Sequence, residues 1–208
     1  YVCDWYNPIK GHAQYSLRDP RRDRDSGRIW RITAKGKPLL PVVNMADASI
    51  PQLLELLKRP EYRMRDWAKR ELRERERNQV ALELDRWVRE LDPQDNRFRH
   101  HQLEAVWTYR SIGLVDLPDS VNPPLGNALS PSQRRQKTEY QAETEELESL
   151  RVATEVLRQL LACDDHHARA AATKQLRYWH PYMEDSTVLL REAANDSNGI
   201  VRMQAVIA

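Results

Sequence analysis

The stretch "LLELLKRPEYRMRDWAKREL", residues 53–72, predicts two short helices joined by a turn at Pro60 and Glu61. Apolar residues recur on both sides of this turn at the i, i+3, i+4 spacing of an amphipathic helix, namely Leu53, Leu56, Leu57, Met64, Trp67, Ala68 and Leu72. A helical hairpin of this size buries little apolar surface by itself. The same pattern should therefore recur along the chain if the hairpin belongs to a stacked array.

The pattern does recur. The segment "LRQLLACDDHHARAAATKQL", residues 157–176, aligns with the first stretch at a constant offset of 104 residues, and "LREAANDSNGIVRMQAV", residues 190–206, follows it at an offset of 33. A degenerate copy, "HHQLEAVWTY", residues 100–109, has Ala105 at the alanine position of the others. These copies predict a mainly α fold, a HEAT-like α-solenoid in which successive helix pairs stack on one another.

Apart from the degenerate one, the copies share a pattern of leucines on a first helix, an acidic turn, an apolar residue followed by arginine, and a small residue inside the second helix. We expect the small residue to let two helices approach closely and the arginine to reach an acidic group at a neighbouring turn. The predicted repeat core is Leu53, Leu57, Trp67, Ala68, Leu72, Leu157, Leu161, Ala172, Leu176, Val201 and Ala205. Three further tryptophans, Trp87, Trp107 and Trp179, are expected to pack between repeats.

The first part of the chain has a different pattern. Residues 1–34 contain two aromatic and β-branched segments, "YVCDWY" and "GRIWRIT", that favour strands on either side of a long loop. Residues 35–50 contain two prolines without periodicity and are interpreted as a linker. Residues 51–208 are predicted to hold the helical repeats, with a polar insertion at about 118–150.

Composition excludes two classes of protein. The chain has 33 basic and 31 acidic side chains, a net charge of +2, whereas a dedicated nucleic-acid binder carries a clear basic excess. No apolar run approaches the ~20 residues that a membrane-spanning helix needs. We therefore expect no nucleic-acid partner and no membrane contact from this segment. Cys3 and Cys163, far apart in the sequence, do not form a disulfide framework.

Two clusters are candidates for chemistry. The loop before the second strand contains a possible contact surface formed by His12, Arg18, Arg21, Arg22 and Arg24, with the alternative that its arginines and aspartates pair with one another. The segment "CDDHH", residues 163–167, has metal-ligand residue types but too few ligands for a tetrahedral Zn²⁺ site, and capping of the next helix is the alternative. No catalytic, cofactor-binding or metal-binding residue is predicted.

Several segments, taken in order, resemble a known family. They are "DWYNPIKGH", residues 4–12; "SLRDP", residues 16–20; "GRIWRI", residues 27–32; "IPQLLELLKRP", residues 50–60; and "ARAAATKQLRYW", residues 168–179. Together they resemble the membrane-bound dehydrogenase-like, PVC-type haem-binding proteins of Planctomycetes. Members of that family begin with a sugar-dehydrogenase-like β-propeller, continue with a HEAT solenoid and often end in a c-type cytochrome domain.

The resemblance implies that residues 1–34 are the closing strands of the last propeller blade, and that the chain is an internal fragment. The parent protein would be an extracytoplasmic (periplasmic or cell-envelope) sugar or alcohol dehydrogenase with haem c and a quinone-type cofactor. This segment itself would bind no cofactor. Its partners would be the preceding propeller, the following domains and a protein on the solenoid.

Two other functions remain open at this point. The solenoid could be a protein-binding scaffold without enzymatic activity, whose propeller performs no chemistry. It could also be a HEAT-like lyase subunit that acts on a bilin, although the strands at the start of the chain argue against this alternative.

Overall fold

The computed structural model describes residues 1–4, 19–21, 23, 25–39, 43–115 and 139–208, and the side chains of 139–145 are not among them. The described residues form two short strands and eight α-helices. They divide into two compact units, Tyr1–Val43 and Asn44–Ala208. The protein is therefore mainly helical, with a small antiparallel hairpin in its first unit. Most of the long loop and the first part of the polar insertion lie outside the described residues.

The hairpin consists of β1 (Val2–Asp4) and β2 (Arg28–Trp30), which pair antiparallel with Cys3 opposite Ile29. The Asp4 carboxylate accepts hydrogen bonds from Arg28 Nε at 3.0 Å and from Trp30 Nε1 at 3.3 Å. Most of the side chains on both strands are exposed. Two strands with so little burial are marginal in water by themselves.

The helices of the second unit are α1 (Ile50–Leu56), α2 (Tyr62–Arg73), α3 (Arg77–Arg89), α4 (Phe98–Ser111), α5 (Glu139–Leu161), α6 (His166–Trp179), α7 (Ser186–Ala194) and α8 (Gly199–Ile207). Each odd-numbered helix packs on the even-numbered helix that follows it. In addition, α1, α3 and α5 contact one another in succession, and so do α2, α4, α6 and α8. One row of helices therefore contains α1, α3 and α5, and a second row contains α2, α4, α6 and α8.

Polar caps start several of these helices at the positions where the periodic pattern begins. Ser49 and Gln52 form a capping box at α1, in which each side chain accepts a hydrogen bond from the other residue's backbone N–H. Asp165 caps α6 and Asn198 caps α8 through their side-chain oxygens. Gly113, with a φ of 77°, follows α4 in the left-handed conformation that commonly ends a helix.

The helical unit has one large apolar core and one small one. The large core runs through α1 to α6 and includes the fully buried Trp179. The small core joins α6, α7 and α8 through Ala170, Ala193, Val201 and Ala205. Small residues at these positions allow the helices to approach closely, because no long side chain separates the backbones.

The predicted repeat-core residues are buried with two exceptions. The buried ones are Leu53, Leu57, Ala68, Leu72, Leu157, Ala172, Leu176, Val201 and Ala205. Leu161 is half-buried at the edge of the core. The interpretation of Trp67 as a core residue is wrong, because its side chain is 48% exposed. Successive helical residues are rotated by about 100°, and α2 buries the face that carries Arg65, Ala68 and Leu72.

Candidate interaction surfaces

Three arginines make the same contact with the turn that precedes their helix. One guanidinium nitrogen of Arg65, Arg169 and Arg202 donates to the carbonyl oxygens five and six residues earlier, at N···O distances of 2.7 to 3.0 Å. These carbonyls belong to the turn between the two helices of a pair, where the backbone acceptors lack helical partners. The shared geometry shows that the three aligned positions are equivalent in three dimensions.

Two of these arginines also reach forward to the next helix pair. Arg65 Nε donates to Glu104 Oε1 of α4 at 2.7 Å. Arg169 donates from Nε and from its second terminal nitrogen to the two carboxylate oxygens of Asp196, at 2.8 and 3.0 Å. Asp196 lies in the turn before α8, which confirms for Arg169 the expected ion pair with an acidic group at a neighbouring turn. Arg202 has no carboxylate within ion-pair distance in the described part of the chain.

The degenerate copy on α4 keeps the forward contact without an arginine. Counting three residues back from Ala105, the equivalent position is Gln102, which is buried. Its side-chain amide donates to Gln159 Oε1 of α5 at 2.8 Å. A neutral amide pair therefore takes the place of the ion pair between the second and third helix pairs. Sequence comparison alone identifies this position only after the alanine has been aligned.

Replacing Arg169 with glutamine is expected to lower the free energy of unfolding by about 2 kcal/mol, since hydrogen bonds to charged groups contribute about 1.5–3 kcal/mol and two turn carbonyls lose their donor. Urea unfolding followed by circular dichroism measures the change. The matched control is Arg151→Gln, whose side chain is largely exposed and, among the described residues, forms an ion pair only with the exposed Glu148. Equal stability losses in the two variants would contradict the role given to Arg169.

The ion pair between Arg169 and Asp196 also makes the free energy of unfolding depend on pH. Hydrogen bonding by the Arg169 guanidinium holds the pKa of Asp196 below its ordinary value. A carboxyl with a lowered pKa stabilises the fold above its unfolded-state pKa, and this contribution is lost as pH falls through the lowered folded-state pKa. The stability difference between the native chain and the Arg169→Gln variant should therefore shrink in acid.

A buried ion cluster lies between α2 and α4. Glu104, 1% exposed, accepts hydrogen bonds from Arg65 and from Lys69 Nζ, the latter at 2.5 Å. Lys69 Nζ also lies 5.4 Å from the ring centroid of Trp107. His100 Nε2 approaches Glu104 Oε1 to 3.4 Å, and burial lowers the pKa of this imidazole. The cluster faces the interior and links the first two helix pairs.

A second buried polar group joins α3, α4 and α5. The Asp85 carboxylate accepts hydrogen bonds from Tyr109 Oη at 2.6 Å and from Ser149 Oγ at 2.7 Å, and all three side chains are buried. Burial raises the pKa of Asp85, and the two hydrogen bonds oppose that shift. Burial together with the neighbouring Asp85 carboxylate raises the pKa of Tyr109 well above its ordinary value. Neutral donors thus hold a carboxylate that has no direct cationic partner in the described hydrogen-bond network.

The Asp85→Asn variant is expected to be as stable as the native chain or more stable at pH 7. A carboxyl with a raised folded-state pKa stabilises the fold fully below its unfolded-state pKa, and that contribution is lost as pH rises through the raised value. An asparagine can still accept from Tyr109 and carries no charge to desolvate. Urea midpoints at pH 3.5, 5 and 7 measure the difference, with the half-buried, surface-paired Asp66→Asn as the control. A destabilised Asp85→Asn variant at pH 7 would contradict this prediction.

The cluster at residues 163–167 serves the start of α6. Asp165 accepts hydrogen bonds from the backbone N–H groups of His167 and Ala168, which confirms the capping alternative for this residue. Cys163 is buried beside it, and burial raises the pKa of its thiol. Within the described ranges, no group of three His, Cys, Asp or Glu side chains is placed to hold a metal ion.

One arginine of the proposed loop surface is described. Arg21 donates from Nε and from a terminal nitrogen to the Asp19 carboxylate, at 3.0 and 2.8 Å. Asp23 accepts from the backbone N–H groups of Asp25 and Ser26, both at 3.0 Å. Hydrogen bonding by the Ser26 side chain, together with these two bonds, lowers the pKa of Asp23. The other four residues of that surface, His12, Arg18, Arg22 and Arg24, lie outside the described residues.

The outer face of α2 carries an aromatic and basic stripe. Arg63, Trp67 and Arg70 follow one another at i+4 and i+3 spacing and are all exposed. Tyr62, in the first turn of the same helix, is exposed as well. Trp, Tyr and Arg are enriched at protein–protein interfaces and among their energetic hot spots. The sequence pattern missed this surface because the apolar spacing assigned Trp67 to the core.

A shallow cleft lies between α6 and α7. Its volume is about 250 Å³, and it is lined by Leu176, His180, Ser186, Thr187, Leu190 and Ala208. Pockets for small-molecule ligands usually measure ≈ 300–1,000 Å³. The cleft is therefore smaller than a typical ligand site, and the exposed stripe of α2 is the better candidate for recognition.

Comparison of the chain with protein-family models, with curated proteins and with solved structures finds no match. No helix in the described part of the chain combines the length and the apolar character needed to cross a membrane.

Proposed function

We propose that the helical unit is a HEAT-like α-solenoid that acts as a non-catalytic linker or interaction surface in a larger extracytoplasmic protein. That protein oxidises a sugar or an alcohol and passes electrons to haem. The observation that best supports a solenoid is the repeated arginine contact. In each of three helix pairs an arginine donates to the carbonyls of its own turn, and two of these three arginines also contact the next helix pair. The two rows of helices and the small residues between them support it.

The hairpin in the first unit supports the proposed place of this segment in the parent. Two exposed strands bury too little surface to be stable alone, and further strands of a propeller blade would complete their sheet. The linker at residues 35–50 would then join the propeller to the solenoid.

The chemistry of the parent belongs outside this chain. A c-type haem is attached through the sequence C-x-x-C-H, whereas the cysteines here are Cys3 and Cys163, separated by most of the chain. The residues of this segment therefore do not fit a covalently attached haem, and we derive no electron-transfer step through them. Their role is to hold neighbouring domains at a defined separation.

A protein-binding scaffold without enzymatic activity is the second candidate function. The exposed Arg63, Trp67 and Arg70 favour it, because an aromatic side chain between two cations suits an acidic protein partner. In this case the solenoid would present α2 to that partner, and the parent would carry out no oxidation.

The complete gene product distinguishes the two candidates. We expect its sequence to contain further propeller strands before residue 1 and a C-x-x-C-H segment after residue 208. The purified protein should show a haem absorption spectrum and reduce an artificial electron-accepting dye when a sugar or alcohol is added. A colourless protein that reduces no dye with added quinone cofactor and haem would favour the scaffold.

A further inference from the structure

The outer face of α8 is apolar and exposed. Val201 and Ala205 are buried against α6, whereas Ile200, Met203, Val206 and Ile207 project from the remaining surface of the same helix. Val206 is 86% exposed and Met203 is 51% exposed. A helix with apolar residues on nearly its whole circumference is typical of one that is covered on more than one side.

The repeat offset shows which exposed positions of α8 correspond to buried positions of α6. At the offset of 33 residues that relates Arg169 to Arg202, Met203 and Val206 correspond to Ala170 and Thr173 of α6. Those two residues are buried, at 5% and 0% exposure. Ala170 belongs to the small core that α6 forms with α7 and α8. Met203 and Val206, the equivalent positions on α8, are therefore the ones that a following helix pair would cover.

Arg202 also lacks, among the described residues, a partner that the equivalent arginines have. It holds the carbonyls of its own turn, as Arg65 and Arg169 do, but the carboxylate partner that both of those arginines have is missing for Arg202 among the described residues. Arg202 and Val206 are four residues apart and therefore lie on the same side of α8. An unpaired guanidinium edge thus borders the apolar stripe.

We propose that this surface, Arg202 with Met203 and Val206, is the docking face for a further helix pair of the continuing polypeptide, which carries a carboxylate in the turn between its helices. In the preceding repeat that carboxylate, Asp196, follows its arginine by 27 residues. The same separation after Arg202 gives the position of the acidic residue. The inference rests on the proposed solenoid and specifies its next contact.

The test extends the 208-residue chain by a copy of its residues 176–208, joined directly after Ala208. This extension keeps the 33-residue spacing and places the copy of Asp196 27 residues after Arg202. We expect the Tm, measured by circular dichroism, to rise by about 4 °C or more, because each stacked repeat adds a stabilising interface. An extended chain with an unchanged Tm, or with an extension that stays unfolded, would overturn the proposal.

Two substitutions show whether the gain comes from this face. Val206→Lys should leave the Tm of the 208-residue chain unchanged, because the side chain is exposed there, and should remove most of the gain in the extended chain. Arg202→Gln should lower the Tm of both chains, because it removes the donor to two turn carbonyls, and should lower that of the extended chain by more. Changing the copy of Asp196 to asparagine should reproduce only the additional loss. Effects of equal size in both chains would contradict the assignment.

A second copy of the chain could also cover the face. Sedimentation of the 208-residue chain tests this, and a dimer that Val206→Lys dissociates would overturn the assignment to a following helix pair. The haem and dye-reduction measurements on the complete gene product do not depend on these results. The proposed function and the docking face can therefore fail separately.

Discussion

Replacing Glu104 with alanine is expected to lower the free energy of unfolding by about 3–5 kcal/mol, which is the usual result of removing one member of a buried ion pair. The carboxylate is buried and is contacted by both Arg65 and Lys69. Its removal leaves two cations at the α2–α4 interface without a counter-charge. At about 2–4 °C per kcal/mol for a chain of this size, the Tm should fall by about 10 °C.

Glu148→Ala is the matched control for this experiment. Glu148 also pairs with two cations, Arg89 and Arg151, both at 3.4 Å, but its side chain is half exposed. Exposed ion pairs contribute about 0–1 kcal/mol, so the control should unfold close to the native chain. Glu104→Gln adds a further comparison, because the amide keeps the shape and one acceptor while losing the charge. A loss below about 1 kcal/mol for Glu104→Ala would disprove the importance of the cluster.

Replacing Ala68 with aspartate should destabilise the helical unit by about 4 kcal/mol, since it puts a charged side chain at a fully buried position. Ala68 lies in the large core on the face of α2 that also carries Leu72. The new carboxylate would separate the helices or become protonated, and either outcome costs stability. Urea unfolding gives the magnitude.

The neighbouring residue provides the control. Trp67→Gln changes a large aromatic side chain one position away, yet this side chain is largely exposed and should contribute within about 0.5 kcal/mol. Trp67→Gln removes more atoms than Ala68→Asp adds, yet we expect Trp67→Gln to have the smaller effect on stability. A strongly destabilised Trp67→Gln variant would restore the sequence-based interpretation of Trp67 as a core residue.

The repeat was visible in the sequence because its chemistry is local. Leucines at helical spacing, an arginine after an apolar residue and an alanine three positions later are all read within a single hairpin. The contact of each arginine with its own turn spans only five or six residues. Burial of Leu157, Ala172 and Leu176 follows from the same short-range pattern.

Other features depend on residues that are distant in the sequence. Asp85 joins Tyr109 and Ser149 across three helices, and nothing in the local sequence around Asp85 distinguishes it from a solvated carboxylate. The pairing of Glu104 with Arg65, 39 residues earlier in the chain, follows only from the packing of α4 on α2. The exposure of Trp67 has the same origin, because apolar spacing identifies a face but does not say which of two adjacent faces a neighbour covers.

The sequence by itself therefore determined the helical periodicity, the cap of α6 and the arginine that recurs in three of the four helix pairs, since these depend on interactions between residues close together in the sequence. Only the tertiary structure decided which side of each helix is covered, because burial depends on where neighbouring helices lie. It paired Glu104 with two cations and left Arg202 without a carboxylate in the described chain. Both outcomes depend on the stacking of one helix pair on the next, which no single repeat encodes.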